Sequence, residues 1–215
     1  FVQWVADAQL AQCCVKAREL GLPIGLYVDV AVGVEAGGAD AWSEQEAVLT
    51  SLSIGAPPDL LNTAGQNWGL SGFSPSGLEA EQFEPFRQML RAAMRYAGAV
   101  RLDHVLGLQR LFVIPHGMPA QDGTYVRAPL EALLAVVAQE SVRHQCIVIG
   151  EDLGTVPEGF RDVMADWGLW SYQVVLFERR DDGSFKAPSE YRKAALASFS
   201  THDLPTFAGW LSGHD

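Results

Sequence analysis

The sequence predicts an α/β fold on a parallel sheet, of the (β/α)8 barrel kind with subdomain insertions. Three observations carry this. Short apolar runs alternate with segments of helical period. The runs are apolar throughout, as in strands covered on both faces. Acidic residues recur just past them: Asp103 follows Ala99–Leu102, Glu151 follows Cys146–Gly150 and Asp203 follows Leu196–Phe199, at intervals of roughly fifty residues. An α/β barrel puts its chemistry at the C-terminal ends of successive strands, whereas a doubly wound sheet gathers it at one switch point.

The elements follow in order. Val2, Val5, Leu10, Cys13, Ala17 and Leu20 lie near helical spacing, and Gly21 stops that helix. Ile24–Val28 reads as a strand with Asp29 at its end. From about 31 to 78 no period is clean, and the stretch holds Gly37-Gly38, Pro57-Pro58 and Gly65-Gln-Asn-Trp-Gly69. It reads as a long loop insertion, and loops of that length inside a domain are usually functional. Phe83, Phe86, Leu90, Ala93, Met94 and Ala97 predict a helix ended by Gly98. A strand at Val100–Leu102, a helix through Leu130, Leu133, Leu134 and Val137, and a strand at Ile147–Ile149 come next. Pro157 suits a first helical position, which predicts a helix over 157–166. A strand at Tyr172–Phe177, a hairpin-like turn at Asp181-Asp-Gly183, a short helix near Tyr191, a strand at Leu196–Phe199 and a helix over 207–212 complete the chain. Five strands are fewer than the eight a barrel needs. With Phe1 already inside a helical segment, residues 1–215 read as the central part of a catalytic barrel belonging to a longer chain.

Composition narrows the function. The chain is 48% hydrophobic and 19% charged, so it can bury a core, and its net charge of −11 argues against nucleic acid or an anionic membrane as partner. Cys13, Cys14 and Cys146 lack zinc-ligand spacing and read as small hydrophobes in a reducing compartment. With no membrane-length apolar run and no signal-peptide pattern, the expected location is the cytoplasm. No Gly-x-Gly-x-x-Gly, phosphate-binding or Asp-x-Asp-x-Asp-Gly segment is present, and no cofactor or metal is expected.

Two or three carboxylates converging in one mouth is what glycosidic-bond chemistry requires. Each also has a plainer reading. Asp103 suits an ion pair with Arg101, Glu151-Asp152 and Thr201-His-Asp203 suit helix caps, and Trp68 suits a loop anchor. His116 and His144 read as ordinary surface or loop residues.

Six motifs then match one family in its order: Gly25-Leu-Tyr-Val-Asp-Val-Ala-Val-Gly-Val34, Gly55-Ala-Pro-Pro-Asp59, Gly65-Gln-Asn-Trp-Gly69, Arg101-Leu-Asp-His-Val105, Gly150-Glu-Asp-Leu-Gly-Thr-Val156 and Thr201-His-Asp-Leu-Pro-Thr206. The chain resembles the amylomaltases, 4-α-glucanotransferases of the α-amylase-like clan, and is most similar to the enterobacterial type. The resemblance implies a barrel with insertions, of which this chain covers roughly the third to seventh strands. It implies transfer of α-1,4-glucan segments between maltodextrins with retention, without a metal or cofactor. A hydrolase of the same clan and a non-catalytic carbohydrate-binding scaffold are the competing readings. By motif position Asp103 matches the nucleophile, Glu151 the general acid/base and Asp203 the transition-state-stabilising carboxylate. Asp29, Arg101 and His202 match contacts to the cleaved glucose. Gln66 and Trp68 lie in the segment bordering the acceptor subsites, and His104 is a further hydroxyl-binding neighbour. Leu60-Leu61 stands where some members carry an aromatic pair. In this scheme Arg101 keeps Asp103 ionised, and neighbouring carboxylates keep Glu151 protonated.

Overall fold

The structure is a computed structural model that describes every residue except Leu61, Asp203 and Asp215. Helix α1 (Val2–Glu19) leads into strand β1 (Leu26–Val30). Helix α2 (Ala39–Ser43), strands β2 (Leu52–Ala56) and β3 (Gln66–Asn67), helices α3 (Pro75–Ala80) and α4 (Glu84–Met94) and strand β4 (Ala97–Leu102) follow. Strands β5 (Arg110–Pro115) and β6 (Thr124–Arg127) precede helix α5 (Leu130–His144) and strand β7 (Ile147–Gly150). Helix α6 (Phe160–Asp166), strands β8 (Trp170–Val174) and β9 (Ala195–Ser198) and helix α7 (Phe207–Ser212) complete the order.

The five expected strands form one sheet, ordered β1-β4-β7-β8-β9, with every neighbouring pair parallel. The order follows the chain and never reverses, unlike a doubly wound sheet. The two faces differ. Val30, Val100, Leu102 and Val148 pack against Phe86, Leu90, Met94, Leu134, Val137 and Met164 of the helices in one large core. Ala99, Ile149, Tyr172 and Val174 form a smaller cluster on the opposite face. Side chains alternate along a strand, so Arg101 shares the face of Ala99, while the register sets Asp29 beside Arg101. The helix-free face therefore carries the polar groups.

Several boundaries differ from the sequence expectation. Helix α4 ends at Met94 with Arg95 as its cap, and Gly98 lies inside β4. There a Cβ would stand 1.8 Å from the Ile24 carbonyl oxygen, so glycine is needed for close approach and not as a helix stop. Gly98→Ala in the full-length protein is expected to cost about 3 kcal/mol, measured by urea denaturation. Helix α6 starts at Phe160 behind a left-handed Gly159, so Pro157 stays outside it. Residues 175–177 and 188–190 are 3-10 turns, which replace the end of the expected strand and the short helix near Tyr191. Of the expected apolar stripe of α1, Ala17 is buried and Val5 half-buried, while Val2, Leu10, Cys13 and Leu20 are exposed; Cys14, outside the stripe, is buried. Asp7 instead ties this helix to Arg95 and Tyr96 at 2.8 and 3.2 Å.

The stretch over 31–78 is not a plain loop. It holds β2 and β3, which join β5 and β6 in a four-stranded antiparallel sheet ordered β3-β2-β5-β6. A second insertion, after β4, thus completes the first, and Phe112, Ile114 and Ala120 form a core cluster of its own.

Candidate active site

Arg101 is the centre of the site. Its Nη1 donates to both carboxylate oxygens of Asp29 at 2.8 Å, and its Nη2 lies 2.6 Å from Asp103 Oδ1. The guanidinium carbon sits 5.7 Å from the centre of the Tyr172 ring. One nearly buried cation, with 11% of its side chain exposed, therefore links residues of β1, β4 and β8. Burial works against its charge, but the Asp29 hydrogen bond and the Asp103 and Asp29 charges hold its pKa above the ordinary range. Nearby, burial and the Tyr172 and Asp29 groups push the Tyr27 hydroxyl up to about 12 against the opposing Arg101 charge, so Tyr27 stays a proton donor at neutral pH.

Glu151 is buried at the end of β7. Its Oε1 accepts from the Leu153 N–H at 2.8 Å and its Oε2 from the His104 N–H at 2.9 Å. Its main chain continues the sheet: its N–H donates to the Leu102 carbonyl at 2.9 Å and its carbonyl accepts from the Val105 N–H at 3.0 Å. The carboxyl pKa is raised. Burial is the largest cause, the two backbone N–H groups oppose it, Asp103 adds to it and Arg101 opposes it. The expected contribution of a neighbouring carboxylate is present, but desolvation outweighs it.

His104, next to Asp103, has a left-handed backbone (φ 46°, ψ 58°). Its ring meets the Trp68 ring edge-on at 5.2 Å. Burial pulls its pKa down, with Asp103 opposing. Trp68 donates from Nε1 to Gln66 Oε1 at 2.9 Å and from its main chain to the Ile54 carbonyl at 3.0 Å. The antiparallel subdomain thus presents Gln66 and Trp68 to the strand end that carries Asp103.

The fold settles two of the plainer readings. Glu151-Asp152 caps no helix, since Gly159 precedes α6. Helix α7 is capped by Thr206, whose hydroxyl accepts from the Gly209 N–H at 3.0 Å. His202 lies in an exposed turn, Asp203 lies outside the described residues, and Leu60 is exposed beside the undescribed Leu61. The Arg101–Asp103 ion pair exists, but Arg101 also holds Asp29 within one mouth.

Asp152, which the sequence offered only as a helix cap, has a different role. It is fully buried, accepting from the Tyr172 N–H at 2.9 Å and from Arg161 Nε at 2.6 Å. Its carbonyl also accepts from Arg161 Nη2 at 2.9 Å. It anchors the residue after Glu151 to β8 and α6. The available signal was an acidic residue inside an apolar context. Among the described residues, no three His, Cys, Asp or Glu side chains gather as a metal site.

Residues 1–215 match the family described as 4-alpha-glucanotransferase. The chain is 44% identical over 215 residues to the 4-alpha-glucanotransferase of Haemophilus influenzae, covering 100% of this chain and 31% of that protein. It is 42% identical over 217 residues to that of Mycobacterium tuberculosis, covering 99% of this chain and 30% of that protein. Among solved structures, amylomaltase from Corynebacterium glutamicum superposes with a TM-score of 0.93 at 40% identity, over 98% of this chain and 30% of that one. The fold is also that of amylomaltase from Streptococcus agalactiae in complex with acarbose, with a TM-score of 0.83 at 22% identity over 97% of this chain and 43% of that one. The chain thus spans about a third of the length of the curated relatives it matches. Its sheet of consecutive parallel strands and its family match run through the same residues, and the chain belongs to the 4-alpha-glucanotransferase family.

Proposed function

We propose that the protein carrying this chain is a 4-α-glucanotransferase that moves α-1,4-glucan segments between maltodextrins by double displacement. The observation that carries the reading is an Arg101-held Asp103 together with a buried Glu151 of raised pKa, at the ends of adjacent parallel strands. Asp103 attacks the anomeric carbon while Glu151 protonates the departing glycosidic oxygen, and a glycosyl ester forms on Asp103. Glu151, now ionised, takes the proton of an acceptor 4-hydroxyl as that oxygen displaces Asp103. Two inversions give net retention.

Asp203 stabilises the oxocarbenium-like charge in this scheme, and Asp29, Arg101 and His202 hold the cleaved glucose. Trp68, Gln66 and His104 border the acceptor. Residues 1–215 are the central part of a (β/α)8 barrel and supply roughly its third to seventh strands. The unreversed strand order and the likeness to the amylomaltase of Corynebacterium glutamicum support this. The compartment is the cytoplasm, supported by the unpaired Cys13, Cys14 and Cys146. The partners are α-1,4-glucans, and the net charge of −11 speaks against nucleic acid or an anionic membrane. No described helix is long and apolar enough to cross a membrane.

The test is product analysis with the full-length protein on maltotriose. Glucose plus maltodextrins longer than the substrate is expected. Release of reducing ends without chain lengthening identifies a hydrolase and overturns the transferase reading. The pH profile gives a second check. Glu151 must be protonated to act first, and its pKa is raised, so kcat/KM falls on the alkaline side above the ordinary carboxylate range. An alkaline limb within that range contradicts Glu151 as the acid.

A further inference from the structure

Given the roles proposed for Asp103 and Glu151, we propose that His104 is a positioning residue that acts through its backbone. Its left-handed conformation aims its N–H at Glu151 Oε2, which aligns the acid/base carboxylate and favours its ionised form.

Three successive N–H groups carry the argument. Those of Asp103, His104 and Val105 go to the Val30 carbonyl at 3.0 Å, the Glu151 Oε2 at 2.9 Å and the Glu151 carbonyl at 3.0 Å. The middle bond reaches a side chain because the chain turns off the strand at residue 104. Histidine, asparagine and aspartate are the side chains that tolerate this region best, whereas β-branched residues are true outliers there. The turn is held from two sides. The Trp68 ring abuts the imidazole, and the buried Val105, Leu106 and Leu108 of the following 3-10 turn anchor it beneath.

The second half-reaction needs Glu151 as an anion in a buried setting, which desolvation alone opposes. The His104 and Leu153 N–H groups supply the opposing stabilisation. Among the described residues, the other titratable or charged groups on this side are Tyr27 and Asp29 on β1, Arg101 on β4 with Asp103 just past it, the His104 imidazole and Tyr172 on β8, with the Asp152–Arg161 pair next to Glu151.

The test uses the full-length enzyme with His104→Gly, His104→Asn, His104→Ala and His104→Val. All four lack the imidazole, so any loss of plateau rate from its absence is common to them. They differ in how well residue 104 holds the left-handed region. The readout is the alkaline limb of kcat/KM on maltotriose. H104G and H104N are expected to share one limb, and H104V to shift it upward by about one pH unit, the scale of one charge-assisted hydrogen bond. H104A falls between. Should H104V not fold, H104A must still lie above H104G. Coincident limbs, or an H104G limb that lies with H104V rather than with H104N, overturn the proposal. Glu151→Gln separates the two failures. Wild-type turnover in that variant refutes the acid/base assignment itself, whereas a dead variant with coincident limbs refutes only the role of His104.

Discussion

Asp103→Asn in the full-length protein is expected to abolish transfer on maltotriose, by at least about 10⁴-fold in kcat, the scale on which loss of an enzymatic nucleophile is felt. The substitution keeps the shape of the side chain and removes the charge that attacks carbon. Arg101 loses one carboxylate but keeps both oxygens of Asp29 at 2.8 Å, so the mouth stays assembled and the protein stays folded. Saturation binding of a maltodextrin is expected to persist. The result separates the two readings of this pair. A variant within about tenfold of wild type marks Asp103 as a structural counter-ion for Arg101, because a counter-ion forms no covalent intermediate and an amide oxygen still accepts from the guanidinium.

Asp152→Ala is expected to lower stability by about 2–4 kcal/mol, read from the urea midpoint at unchanged slope. The carboxylate is fully buried, and its removal leaves the Tyr172 N–H without a partner inside the sheet. Arg161 contributes less to the loss, since 42% of its side chain is exposed and water takes over its hydrogen bonds. Asp152→Asn retains an acceptor for Tyr172 and is expected to lose about half as much. The alanine variant also frees the β7 end that carries Glu151, so kcat falls with stability. A midpoint within experimental scatter of wild type contradicts the anchoring role.

These two aspartates show how far the chain could be read. Asp103 was legible because it follows a compact apolar run and stands two residues from Arg101, both local facts. Asp152 was not, because its burial comes from β8 and α6, which lie about ten to twenty residues onward in sequence. The same division runs through the fold. The five parallel strands each announce themselves by a short apolar run, whereas β2 pairs mostly with the distant β5 and β3 is a two-residue edge strand, so both carry little local period. The β5 run Arg110-Leu-Phe-Val-Ile-Pro115 is apolar, yet neither it nor its partner Leu52–Gly55 was read as a strand, because the two pair across about sixty residues of chain.

Gly98 teaches a related point. Its position after an amphipathic stretch looked like a helix stop, because glycine ends helices and also permits close strand approach. Only the Ile24 carbonyl lying against it distinguishes the two. For Glu151, the converging carboxylates suggested charge repulsion as the cause of a raised pKa, while the folded environment makes burial the larger cause.

By itself, the order of residues determined the α/β class, the five parallel strands and the placing of Asp103 and Glu151 at strand ends. Those follow from side-chain hydrophobicity over a few neighbouring positions. Tertiary structure alone decided that Arg101 joins Asp29 to Asp103, that residue 104 turns left-handed toward Glu151, and that two insertions merge beside the mouth. Each of these depends on which distant groups come within about 3 Å, the range at which hydrogen bonds and ion pairs act.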